Sequence, residues 1–436
     1  MAGMSATGFG PDGASDNHRY GLAALWLAFA ACLATRCWYV FYNGPLDHLF
    51  SDPGRHWENG LFFRSPRFMG SIDPYAYQLW LYALRRLVED STFGVLAGTA
   101  VLSMALPVFW LCALRELVPL AWALAGAIVI GFVPSLFMIY VYFMNDTLML
   151  SLSACGIWLA LRAMRTHDLP TMAALVLVWT VAAYTRLIAL PLAALCFVAV
   201  ALPLTWRKRA LLAAAIGVSF GALAVPACSH SSWNLHYCAP FGSGYLNEAY
   251  RASGARTIKI LGPGDEWTYT SPSMFSEPFE PFSDWHSQRI GIKRITIDVQ
   301  KGREDWQAAI DQIALGGSLL PALADRTENA VLLLFDSSWP DNNREYLWGR
   351  LNHWTRWLWL PLILGVGVLL AKTRPPLREG LIPIAGLVLI GLLLVQTSGV
   401  MEGRYRKPAE PLLIAGAFVL LHRFLAARAR TAELRG

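Results

Sequence analysis

Ten apolar tracts in this chain constrain its fold more than any other feature. They cover roughly 20–42, 91–114, 117–139, 147–164, 171–185, 187–204, 210–228, 354–371, 380–398 and 409–424. A helix needs about 17–25 such residues to cross some 30 Å of hydrocarbon. Inside a bilayer every backbone polar group must be satisfied within the protein, so spanning segments of this length are helices. Charged residues make up only 15% of the chain, against about 25% in soluble domains. The expected fold class is an all-α polytopic membrane protein with about ten transmembrane helices. The tracts at 171–185 and 187–204 are interrupted only at Tyr184-Thr185-Arg186, so a re-entrant pair is an alternative there.

Lys and Arg in the short loops set the orientation. Arg115, Arg162, Arg165, Arg207, Lys208, Arg209, Lys372, Arg374 and Arg378 fall on one side, together with Arg423, Arg428, Arg430 and Arg435. That side is expected to be cytoplasmic and to hold both termini. The net charge of +6 is then a cytoplasmic excess suited to anionic lipid headgroups, with no signal for nucleic acid. No basic stretch, short apolar core and small-residue cleavage site follow one another at the N-terminus, so the first tract reads as a retained anchor. The Ala/Leu/Arg-rich composition favours a bacterial inner (plasma) membrane.

This ordering divides the chain into a disordered tail (1–19), an N-terminal transmembrane module (20–228), an outer loop subdomain (229–353), C-terminal transmembrane helices (354–425) and a basic tail (426–436). The first outer loop, 43–90, carries a predicted interfacial helix from Pro74 to Val88, with Pro74 in its first turn and Arg85 and Arg86 at its dipole-favoured end. An interfacial anchor and one wall of a lipid-substrate groove are both open readings of it. Residues 229–352 hold 11 Lys/Arg against 15 Asp/Glu. Short β-type alternation is expected at Arg256–Leu261 and Arg294–Val299, a helix at 303–315, and a membrane-hugging apolar element at Asn329–Phe335. Cys228 and Cys238 flank an outward segment with His230 and His236. An oxidising compartment would allow a disulfide there, and a zinc site is the alternative, although the spacing matches no common ligand pattern.

Three groups of residues could carry chemistry. Asp52 lies in the charged loop Ser51–Asn59 behind the first span, where the Pro53-Gly54 turn can aim it at the membrane. A carboxylate so placed can act as a general base. A solvated loop residue is the plain alternative, and Asp47 is the spare candidate. Glu58 could simply pair with Arg55 if this stretch were helical. Secondly, Glu402-Gly403-Arg404-Tyr405-Arg406-Lys407 puts three cations on the outward side, against the positive-inside bias. Arg404 and Arg406 suit a phosphate or pyrophosphate, and ordinary lipid headgroups are the plain alternative. Thirdly, Asp146 in Asn145-Asp146-Thr147 is either a second carboxylate for an acceptor or metal, or a helix N-cap. Arg36 and Arg186 are explained by snorkelling or complete a positive outer pocket. Phosphate-loop, dinucleotide-binding and His-Glu-x-x-His motifs are lacking, and an outward site has no nucleotide supply.

These pieces together resemble the GT-C superfamily of integral-membrane glycosyltransferases, nearest the bacterial group related to aminoarabinose and protein-mannosyl transferases. Asp52 with Arg55 is similar to the acidic first-loop motif, and Pro74 to Val88 to the interfacial helix of that loop. Ile139 to Leu150 resembles a junction between spans, as does Tyr184-Thr185-Arg186. The most specific match is Gly403-Arg404-Tyr405-Arg406-Lys407-Pro408-Ala409-Glu410-Pro411, which resembles the Arg-Tyr-Arg segment before a late span. The resemblance implies a GT-C-like fold and transfer of a sugar from a polyprenyl-phosphate donor to an acceptor lipid, glycan or protein on the extracytoplasmic face. It further implies Asp52 as base, Arg55, Arg404 and Arg406 as donor-phosphate ligands, and Asp146 or Glu402 as an acceptor or second carboxylate. Membrane lipids are the other expected partner. No cofactor is assigned. Pro53 stands where many relatives carry a second acid, which leaves a divalent metal open, and Ile72-Asp73-Pro74 replaces a basic residue and paired prolines. A transporter or lipid-linked-sugar flippase would instead place charges in several spans near the midplane, and a non-catalytic glycan-assembly partner is a third reading.

Overall fold

The protein is described by a computed structural model over residues 12–67, 70–71, 73–235, 238–241, 257–262, 265–270, 294–298, 327, 330–336, 347–395 and 403–433. Helix α1 spans Asp12–Tyr42 and is followed by α2 (Ser51–Leu61) and α3 (Tyr75–Leu87) in the first loop. Then come α4 (Thr92–Arg115), α5 (Leu120–Phe132), the short α6 (Pro134–Met138), α7 (Asn145–Thr166), α8 (Leu169–Thr185), α9 (Ala189–Ala201) and α10 (Trp206–Leu235). The C-terminal part contains α11 (Leu347–Thr355), α12 (Trp359–Thr373), α13 (Leu377–Val395) and α14 (Glu410–Glu433). Among the described residues seven helices are long and apolar enough to cross a bilayer, against the ten expected, and α5 with α6 and the following turn passes the same test only when joined across a bend of 69°. These long apolar helices fit an integral membrane protein. Helix starts at Asp12 rather than Tyr20, and α14 runs on to Glu433, so both expected tails are helical over the described part.

The two shorter apolar helices, α8 and α9, join opposite ends of the bundle and do not form a re-entrant pair. At one end Lys208, opening α10, donates to the carbonyl of His167, just before α8, at 3.0 Å. At that same end Arg209 donates to Ala201 and Leu202 at the close of α9. Arg186, between α8 and α9, pairs with Asp146 at the start of α7, which is the other end. The first end also gathers the basic loops: Glu116 accepts Arg378 at 2.7 Å and Arg165 at 3.1 Å.

A buried arginine holds the bend between α5 and α6. Pro107 inside α4 has no N–H to give the Ser103 carbonyl, and the bend at Pro134 strands the carbonyl of Gly131. Arg36 donates to Ser103 at 2.8 Å, Gly131 at 2.6 Å and Leu136 at 3.0 Å, and is 1% exposed. Its guanidinium also lies 4.9 Å from the Tyr140 ring centre. Neither snorkelling nor a place in an outer pocket describes Arg36; it replaces missing backbone donors.

Three strands, β1 (Thr257–Gly262), β2 (Asp265–Thr270) and β3 (Arg294–Asp298), form a sheet in the order β2-β1-β3. β1 pairs antiparallel with β2, Gly262 opposite Asp265, and parallel with β3, Thr257 opposite Arg294. β1 and β3 fall on the two alternating segments, whereas β2 was not expected. The expected helix at 303–315 lies outside the described residues. Residues 330–335 are helical, and Leu333 packs into the main core.

Candidate functional site

The segment Ser51–Asn59 is the opening of a helix and not a loop. Pro53 is tolerated because first-turn amides need no intrahelical partner, and Asp52 gains from the positive end of the dipole. A Cβ at Gly54 would lie 3.0 Å from the Leu49 carbonyl, so glycine eases the close approach of the chain at the entry to α2. Asp47 is exposed. Glu58 pairs with Arg67 at 3.5 Å at the surface rather than with Arg55.

α2 and α3 are bound together and to the bundle. Arg85 lies 4.0 Å over the Trp57 ring and donates to the Trp57 carbonyl at 3.0 Å, while Trp57 stacks on Phe143 at 4.6 Å. His230, near the end of α10, stacks on Phe63 at 5.0 Å, and its Nε2 lies 3.1 Å from the Gly70 carbonyl. Two residues before it, Cys228 is joined to Cys238 in a disulfide. That bond takes both sulfurs from the alternative zinc site, and His236 lies outside the described residues.

On this frame an alternating chain of charges is assembled. Asp73, just ahead of α3, accepts both Nε and Nη2 of Arg55, at 3.0 and 2.9 Å. It also accepts Asn59 at 3.0 Å and lies 3.3 Å from His56 Nδ1. Arg55 Nη1 reaches Asp52 at 2.6 Å. The other Asp52 oxygen lies 3.5 Å from Arg404, whose Nε is 3.2 Å from Asp146. Asp146 completes the chain by pairing with Arg186, which lies over the Tyr405 ring at 5.4 Å. Asp146 is fully buried, whereas the side chains of Asp52, Arg186 and Arg404 each keep 11% exposure.

Electrostatics hold the first-loop carboxylates charged. Burial pushes Asp52 up, but Arg55 and then Arg404 outweigh it, leaving it below its ordinary value. Burial likewise acts on Asp73, and Arg55 and His56 pull it well below the usual carboxylate range. Arg55 is pushed up: burial opposes its charge, but Asp52 and Asp73 more than compensate.

Arg406, expected beside the donor phosphate, turns into the bundle. It is 1% exposed, its Nε binds Glu410 at 2.8 Å, and its other nitrogens donate to the carbonyls of Leu333 and Asp336. Lys407 is buried too and donates to the Ser135 carbonyl at 2.8 Å, while the Ser135 hydroxyl donates to Glu410. Burial removes both from contact with an arriving headgroup. Glu402 lies outside the described residues. Of the candidate site residues, Asp52, Arg55, Arg404 and Asp146 therefore converge. Asp73 was missed as a member; its only sequence signal was an acid beside a helix start where a base was expected.

Among the described residues no three His, Cys, Asp or Glu side chains are grouped to hold a metal. Asp52 and Asp146 are each already neutralised by guanidinium groups, so their oxygens do not suit a shared cation. No family model matches the chain, and no characterised protein is significantly similar to it in sequence.

Proposed function

We propose that this chain is a membrane glycosyltransferase of GT-C type. It moves a sugar from a polyprenyl-phosphate donor to an acceptor on the extracytoplasmic face, with Asp52 as general base. The observation that carries this reading is the approach of Asp52 to Arg404 across 352 positions of sequence, beside the fully buried Asp146. A base next to a phosphate-binding guanidinium is what transfer from a phosphate-linked sugar needs. The Cys228–Cys238 disulfide adjoins the first loop through His230, and disulfides persist in oxidising compartments. This supports an outward site, with the Glu116, Arg165, Arg378 and Lys208 end in the cytoplasm.

The acceptor O–H or N–H gives its proton to Asp52, and the freed lone pair forms the bond to the sugar anomeric carbon. The bond from that carbon to the phosphate oxygen breaks with its electron pair, turning a phosphodiester monoanion into a monoester dianion. Arg404 stabilises the added charge. Arg55, held by two carboxylates, positions Asp52. Arg406, Lys407 and Glu410 anchor the start of α14.

The test compares envelope glycans by mass spectrometry in wild-type, deletion and Asp52→Asn cells. Loss of the same sugar in both altered strains is expected. An unchanged profile in the deletion would sink the enzyme reading, and full activity of Asp52→Asn would remove Asp52 as base.

A further inference from the structure

The ends of α2 and α3 carry a basic and aromatic surface that the proposed reaction does not use. Four arginines gather there. Arg85 pairs with Asp90 at 2.5 Å, and Arg67 pairs with Glu58 at 3.5 Å. Arg64 and Arg86 are exposed, and among the described residues no carboxylate pairs with either. Both guanidiniums lie over one ring, 5.7 and 5.5 Å from the centre of Tyr82, and Phe63 stacks on the same ring at 5.3 Å. A guanidinium held over a ring keeps its N–H edge for an anion.

The packing of α3 fixes where this surface lies. Leu84 and Val88 sit so close to Gly98 and Gly94 that a Cβ at either glycine would overlap them, so the end of α3 rests on the first two turns of α4. α4 runs from Thr92 to Arg115, and the adjoining Glu116 belongs to the end that gathers the basic loops. Arg86 therefore lies at the membrane boundary of the opposite end. Beside it Leu87 is 83% exposed, and Phe93, in the first turn of α4, is 72% exposed. Bare apolar side chains at that depth belong among acyl chains, and long cationic side chains next to them reach the headgroups.

We infer that Arg64 and Arg86 bind the phosphate of an anionic glycerophospholipid in the leaflet at this end, with Leu87 among its acyl chains. Two guanidiniums gathered at one ring suit the several acceptor oxygens of a phosphate. A zwitterionic headgroup carries its own ammonium beside the phosphate, so an anionic one answers the two cations better. An acidic soluble protein would match the charge but would leave Leu87 without apolar cover. The surface is separate from the chain of charges around Asp52, and the inference holds whichever reaction that chain performs.

The test places the full chain in phosphatidylcholine nanodiscs that contain phosphatidylglycerol with a photoreactive headgroup, and maps the crosslinks by mass spectrometry. Crosslinks within residues 61–90 are expected, and unlabelled phosphatidylglycerol should compete them away. Arg64→Gln and Arg86→Gln should each weaken the affinity read from that competition about fivefold, and the two together roughly twentyfold or more. Replacing both by Lys keeps the charges and should retain most of the affinity, which separates loss of charge from loss of fold. Wild-type affinity in the double Gln variant overturns the inference, as does an equal loss in the double Lys variant. Equal competition by added phosphatidylcholine also overturns it, because the surface would then be a general headgroup contact. Stronger competition by undecaprenyl phosphate would give the surface to that lipid instead, and stronger competition by polyglutamate would give it to an acidic protein; either result overturns the assignment.

Discussion

Arg36 offers the sharpest test of how the bundle is held. Two of its three hydrogen bonds go to carbonyls left without helical partners by Pro107 and the Pro134 bend, Ser103 and Gly131, and the third goes to Leu136 in the short helix after the bend. Hydrogen bonds inside membrane bundles are worth roughly 0.6–1.7 kcal/mol each, so Arg36→Met should destabilise the protein by about 2–5 kcal/mol. Pro107→Ala supplies a tool for dividing that sum. It restores an amide that can donate to the Ser103 carbonyl, making the Arg36 Nε bond redundant. In the Pro107→Ala background the Arg36→Met cost should therefore fall by one bond, roughly 0.6–1.7 kcal/mol. Arg36→Lys should recover only part of the loss, because one ammonium cannot match three carbonyls arranged around a planar fork. Unfolding titrations in detergent micelles on the four members of the cycle measure both quantities. An Arg36→Met cost below about 1 kcal/mol, or the same cost in both backgrounds, would refute the claim that Arg36 replaces missing backbone donors.

Other consequences are testable with the same protein. The Asp73 carboxyl is depressed on folding, so the docking of α2 that it supports is fully present above the ordinary carboxylate value near 3.9 and is lost as pH falls below it. Hydrogen exchange over Ser51–Leu61 should show that acid transition, and Asp73→Asn should abolish it while speeding exchange at neutral pH. Arg406→Met should lower thermal stability, since it strands Glu410 and two carbonyls, yet leave the affinity of folded molecules for undecaprenyl phosphate unchanged. An affinity loss on the scale of Arg404→Gln would return Arg406 to the donor site. Finally, an impermeant maleimide applied to intact cells should label Cys228 or Cys238 only after reduction. Labelling confined to inverted vesicles would reverse the proposed orientation.

Length and apolarity made seven spanning helices legible among the described residues, fewer than the ten expected; α8 and α9, expected as spans with a re-entrant pair as the alternative, are only 17 and 13 residues long. Charge excess made one end of the bundle legible as well: Arg165, Lys208 and Arg378, grouped from loop composition, do meet at that end through Glu116 and His167. The first loop was less readable. Pro53-Gly54 normally signals a turn, and here the same pair opens a helix because the first turn has no use for the missing amide. Asp73 was overlooked for a different reason. Its role depends on α3 packing back against α2, a tertiary fact with no local signature, and it uses that position to hold Arg55 and His56.

The clearest limit on reading this site from sequence lies in Gly403–Arg406, which forms a single 310 turn. At three residues per turn, side chains two apart point about 120° away from each other. Arg404 and Arg406 therefore cannot serve one ligand, however alike they look in the Arg-Tyr-Arg motif. Arg404 faces Asp52 and Asp146, whereas Arg406 enters the bundle beside Glu410. An extended strand would have put the two on one face and made the joint phosphate site plausible. The backbone conformation of four residues thus decides which arginine faces Asp52 and Asp146 and which anchors the last helix. Arg186, reached only through the fold, joins Arg404 at Asp146.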